Sequence, residues 1–144
     1  VTLPVFIVLL FGLLEIGRIV QINQILCNAA REGARSASTG INAYATVQTT
    51  VQNYLTNAGI TNQNGLSISV TNLSQKNSGS SFDPSTATWL QQIQVTVSLP
   101  LSNVQLAALH FLSSDPNTQI SAQAVWFSGQ DQAYPTNITA PSGS

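Results

Sequence analysis

The first 14 residues, VTLPVFIVLLFGLL, carry no charge and a single polar side chain, Thr2, and no proline interrupts the chain between Val5 and Ser38. A helix that is apolar on every side needs lipid or a large body of protein around it. The roughly 100 residues of a small domain are too few to wrap it and build a core of their own. A bilayer-spanning helix takes about 20 apolar residues, so this run is expected to continue upstream. The chain starts without methionine, as expected for a processed or trimmed product. A leftover signal-peptide core fits less well, because Glu15 and Arg18 stand where a small-residue cleavage site would lie. The reading carried forward is a membrane anchor that later serves as an association surface.

The helix should not stop where the apolar run does. Pro4 is tolerated in a first turn, where its missing N–H has no intrahelical partner to lose. The first convincing stop is Ser38-Thr39-Gly40. A helix from residue 3 to 38 would be about 54 Å long at 1.5 Å per residue, longer than such a domain is wide, so part of it must project. Its far half carries one stripe at three- and four-residue spacing: Ile19, Ile22, Leu26, Ala29 or Ala30, Gly33 and Ala37. The stripe tapers to small residues, which let another backbone approach closely, as between membrane helices; alternatively, the alanines are there because they favour helix. The residues expected at subunit contacts are Phe6, Leu10, Phe11, Leu14, Glu15, Arg18, Ile19, Ile22, Leu26, Ala30, Gly33 and Ala34.

Charge divides the chain in the same place. Only 6% of residues are charged, against roughly 25% in ordinary soluble domains. Five of these residues, Glu15, Arg18, Arg31, Glu32 and Arg35, fall on the expected helix; Lys76, Asp83, Asp115 and Asp131 serve everything after it. Amides and hydroxyls must therefore hydrate the surface. A net charge of −1 offers no field for phosphates and excludes a nucleic-acid partner. Charges within lipid are costly unless paired or at an interface. Glu15 and Arg18, three apart, can pair with each other, and Arg31, Glu32 and Arg35 can form a surface network or bridge to a neighbour.

The remainder reads as a small α+β unit, residues 39–128, followed by an extended tail, 129–144. Asn42 is a plausible N-cap for a second helix with Tyr44, Val47, Val51, Tyr54 and Leu55 on one face and Gly59 past its end. Asn64-Gly65 turns into Leu66–Thr71, which alternates strictly. Residues 73–88 look like an exposed loop. Leu90–Leu99 and Ile120–Phe127 read as further strands, the first ended by Pro100, with Val104–Leu112 as a short helical turn between them. The expected architecture is a long apolar N-terminal helix (1–38) against an antiparallel three-stranded sheet and a second helix.

Little here can carry catalysis or bind a cofactor or metal. His110 is solitary in an apolar stretch, no serine sits in a nucleophile-elbow pattern, and no glycine loop cradles phosphate. Asp83-Pro84 and Asp115-Pro116-Asn117 are turn residues, and calcium would want more carboxylates. Cys27, the one cysteine, reads as a small hydrophobe, with an intersubunit disulfide as the sharper alternative. Asn72-Leu73-Ser74 and Asn137-Ile138-Thr139 are N-glycosylation sequons, making Asn72 and Asn137 candidate sites. The chain is expected to be structural, not enzymatic.

Three stretches resemble the N-terminal signature of TadE-like proteins, pilin-like components of the tight-adherence (Tad) branch of type IV pili. They are Leu3-Pro4, Phe11-Gly12-Leu13-Leu14-Glu15-Ile16-Gly17-Arg18, and Asn28-Ala29-Ala30-Arg31-Glu32-Gly33-Ala34-Arg35. The resemblance implies a pilin-like fold and a prepilin made in the inner membrane. It also implies cleavage by a prepilin peptidase and assembly, through inner-membrane machinery and contacts between copies of itself, into an extracellular adhesive pilus. A membrane-anchored assembly or adhesion component that never polymerises is the alternative. The family's cleavage region, a glycine before the cut and a Glu-Phe pair after it, would lie before Val1. Many relatives carry a cysteine pair in the distal domain, where this chain has none.

Overall fold

The computed structural model describes residues 2–76, 79–104 and 117–129. Helix α1 (Thr2–Ser38) is followed by α2 (Tyr44–Asn57) and strands β1 (Ser67–Asn72), β2 (Gln92–Pro100) and β3 (Gln119–Phe127). Single 3-10 turns at Pro84–Thr86 and Leu101–Asn103 flank β2. The sheet order is β1-β2-β3, antiparallel throughout. The expected α+β architecture is therefore present. The helical turn expected within Val104–Leu112, His110, Asp115, Asp131, Asn137 and the tail beyond Gly129 lie outside the described residues.

At 37 residues, α1 is about 55 Å long. It ends as its sequence demands. Gly40 takes φ 66° and its N–H bonds the Ala37 carbonyl at 3.2 Å, a left-handed stop that a Cβ would oppose. Asn42, expected to cap α2, instead serves α1. Its amide donates to the Ser36 carbonyl at 3.1 Å and to Ser36 Oγ at 3.0 Å, while Ala43 occupies the α2 N-cap without a side-chain hydrogen bond. The carbonyls at a helix C-terminus lack donors, and an amide NH₂ supplies them. At the far end of α2, Ala58 N–H bonds Tyr54 and Ile60 N–H bonds Leu55 around Gly59 at φ 92°, again a glycine stop.

The core is one layer deep. Alternation puts Ile68 and Val70 of β1, Ile93, Val95, Val97 and Leu99 of β2, and Ala122 of β3 on the inner face. Against it lie Leu26, Ala29, Ala30, Gly33, Ala34 and Ala37 of α1, with Val47, Val51 and Leu55 of α2 closing the side. The core thus crosses residue 38, with the second half of α1 as its central element. The small residues are where the backbone comes closest: a Cβ on Gly33 would sit 2.6 Å from Val51 Cγ2 and 3.2 Å from Val95 Cγ1. Tyr44 pins α2 to the sheet, its hydroxyl donating to the Ile68 carbonyl at 2.8 Å.

Two expectations, one for a loop and one for a strand boundary, are corrected. Residues 73–88 are not wholly exposed: Val70 and Phe82 pair backbone to backbone beside β1, and Pro84 and Ala87 are buried. Asp83 caps this turn as foreseen, accepting from Ser85 N–H at 3.0 Å. Strand β2 begins at Gln92, not Leu90, because Leu90 sits at φ 60°, a conformation that costs an L residue with a Cβ roughly 1–2 kcal/mol. Leu90→Gly should therefore raise stability by up to about 1 kcal/mol after glycine's own entropic cost. The check is a higher denaturant midpoint at unchanged slope, with Leu90→Ala showing no such gain.

Candidate association surface

The stripe along α1 is longer than its apolar part. Glu15 lies on the same line as Ile22, Leu26, Gly33 and Ala37, and it is buried at 8% exposure although Leu14 and Ile16 beside it are each 61% exposed. Arg18 flanks the stripe and donates Nε–H to the Val104 carbonyl at 2.8 Å, tying the helix to the turn after β2. Glu15 and Arg18 thus mark a boundary: past them α1 is packed, and before them it stands clear.

Before that boundary the helix is apolar around its whole circumference. Leu3, Val5, Phe6, Ile7, Val8, Leu9, Leu10, Phe11, Leu13 and Leu14 are all exposed. By length and composition α1 is long and apolar enough to cross a membrane. Water would surround about ten large side chains here, each giving up roughly 1.5–3 kcal/mol of burial. Such a surface exists to meet lipid or other apolar helices.

The expected contact residues divide accordingly. Phe6, Leu10, Phe11 and Leu14 are exposed, and Ile19 is half-buried. Ile22, Leu26, Ala30, Gly33 and Ala34 are covered by the protomer's own α2 and sheet, so the close approach their small side chains permit is made within one chain. Among the charges, Glu32 and Arg35 pair at 3.7 Å on an exposed face, an interaction worth about 0–1 kcal/mol. Arg31 is also exposed. Cys27 is half-buried and packs against the core.

Asn72 is buried in the folded chain. It is 1% exposed; its amide nitrogen, where a glycan would attach, donates to Gln91 Oε1 at 2.7 Å, and its oxygen accepts from Ser74 N–H at 2.9 Å. A sequon specifies the acceptor but not its burial. The peptide containing Asn72 should therefore return its unmodified mass. Asn72→Ala should cost about 1–3 kcal/mol in a denaturant melt, because it removes two hydrogen bonds, each worth about 0.5–1.5 kcal/mol.

Residues 1–35 match the sequence model of a family described as TadE-like protein. That segment is TadE-like. The match takes in the exposed apolar turns, the Glu15–Arg18 boundary and the Arg31–Arg35 motif, and ends just before α1 does. It bears out the resemblance carried by those motifs. No curated protein and no solved structure matches the chain.

Sequence reasoning passed over the end of the molecule farthest from Thr2. There Trp89, Leu90, Val125, Trp126 and Phe127 are all exposed. The Gly129 N–H bonds the Ser38 carbonyl at 2.7 Å, so β3 finishes where α1 runs out, and Trp126, though on the inner face, has passed the helix that would cover it. The signal in the sequence was the position of Ser38-Thr39-Gly40 relative to the strand ends, which no periodicity reveals.

Proposed function

We propose that this chain is a structural subunit of a Tad-type pilus. The first half of α1 holds it in the inner membrane and then packs against the same segment of other copies in an extracellular filament used for surface adhesion. The observation that carries this reading is the fully exposed apolar circumference of Thr2–Leu14 on a helix whose other half is already packed, within a TadE-like segment. Moving such a helix from lipid into a bundle of like helices changes apolar solvation little, so packing and the charges at the boundary set the geometry. A repeated contact that does not close on itself yields a fibre. A prepilin peptidase and the inner-membrane assembly machinery are the partners before assembly, and the role is structural rather than catalytic. Negative-stain microscopy of material sheared from cells tests it: filaments that contain this chain support polymerisation. The chain found only in the membrane fraction, with filaments lacking it, identifies an anchored component that does not polymerise.

A further inference from the structure

The register of the sheet places its outer-face residues in rows. Leu73, Gln92 and Phe127 form the row nearest the distal end, then Thr71, Gln94 and Val125, then Ser69, Thr96 and Gln123, then Ser67, Ser98 and Ser121. None of these twelve side chains is charged. Within the grid Gln94 Nε2 donates to Gln123 Oε1 at 2.6 Å, which fixes both amides and leaves Gln94 Oε1 as an acceptor and the Gln123 NH₂ as a donor, side by side. On the same strand face as Gln123, four residues further on, stands the exposed ring of Phe127, about 13 Å away along β3. Exposed Trp89 lies at the same end, next to Leu90, whose N–H bonds the Ser128 carbonyl.

We propose that the three rows of this outer face nearest the distal end bind a neutral polysaccharide. A sugar hydroxyl both donates and accepts, so adjacent hydroxyls on one ring match an acceptor and a donor held side by side. Because the Gln94–Gln123 bond already orders these amides, binding forfeits less side-chain entropy. The C–H face of a sugar ring carries weak positive charge and stacks on the negative face of an aromatic ring, the role of Phe127. An anionic polymer would find no cation on the grid. A protein partner would be expected to meet arginine, which is enriched at protein interfaces, and this face has none.

The test uses the full chain in a polyoxyethylene detergent, whose headgroup carries no sugar. It is mixed with microcrystalline cellulose, cross-linked dextran or starch granules, and in parallel with alginate beads. Retention on at least one neutral matrix is expected, reversed by soluble oligosaccharide of the same polymer. Phe127→Ala and Gln123→Leu should each reduce that retention at least tenfold, with melting temperatures unchanged because both residues face away from the core. Retention on no neutral matrix, retention on alginate alone, or neutral retention untouched by both variants overturns the proposal. So would a loss of filaments in Phe127→Ala without loss of polysaccharide binding, which would place this face between copies of the chain. Filament assembly is not needed for the binding assay, so its outcome is independent of the pilus reading.

Discussion

Gly33→Val should strongly destabilise the packed half of the molecule. The first carbon of any side chain at position 33 meets Val51 Cγ2 at 2.6 Å and Val95 Cγ1 at 3.2 Å. Both neighbours are β-branched and stiff at χ1, so neither can swing aside. Overpacking of a well-filled core costs about 1–3 kcal/mol and sometimes more. Valine adds three carbons at the point where α1, α2 and β2 converge, so a loss of at least about 3 kcal/mol is expected from a total that for domains of this kind is about 5–15 kcal/mol. Gly33→Ala should lose roughly 1–2 kcal/mol, even though alanine is the better helix former by about 1 kcal/mol. The mechanism has its own check in the Val51→Ala change. Alone it leaves a cavity and destabilises; combined with Gly33→Ala it should be less destabilising than the sum of the two by about 1 kcal/mol or more. Strict additivity would mean that the contact is not what limits position 33.

That result bears on why the small-residue stripe was hard to place from sequence. Ala29, Ala30, Gly33, Ala34 and Ala37 announce a close helix contact, and they make one. Nothing in their spacing says whether the facing surface belongs to the same chain, because a valine of α2 and a residue of another subunit fill the same groove. The strands were easier: the alternation of Ile68 and Val70, and of Ile93 through Leu99, has a single inward solution once one face is covered. The end of α1 was legible because Gly40 is needed at a positive φ. Asn42 was legible as a cap but not as a cap for which helix, since two helix ends lie within its reach. Leu90 continued an extended-looking run, and its left-handed backbone accompanies a link to Ser128, a contact that local sequence does not encode. At the association surface, Phe6, Leu10, Phe11 and Leu14 were visible as unbroken apolarity. The burial of Glu15 amid exposed neighbours required the helix to be phased against the rest of the stripe.

Phe11→Lys should separate assembly from folding. Phe11 lies among the exposed turns before Glu15 and is itself 46% exposed, so lysine there disturbs nothing in the packed half. Stability of the core should stay within about 0.5 kcal/mol of wild type. In lipid the same ammonium costs about 2.5–3.5 kcal/mol at the centre of a helix, and between apolar helices it would be buried without a partner in each copy. Filament yield in sheared material should fall at least tenfold. Gly33→Val and Phe11→Lys therefore act on opposite halves of one helix: the first should weaken the fold, and the second should remove association from a chain that still folds.

The central claim is that α1 presents its first half to other copies while its second half stays within the protomer. Cysteine cross-linking on assembled surface material tests it most directly. In a Cys27→Ser background, Leu10→Cys should give a ladder of covalent multimers with a short bis-maleimide, and adding Phe11→Lys should abolish it. Wild-type Cys27, half-buried against its own core, should give monomer under the same treatment. Monomer alone from Leu10→Cys in filament-bearing material, or a ladder from Cys27 equal to that from position 10, would contradict the account.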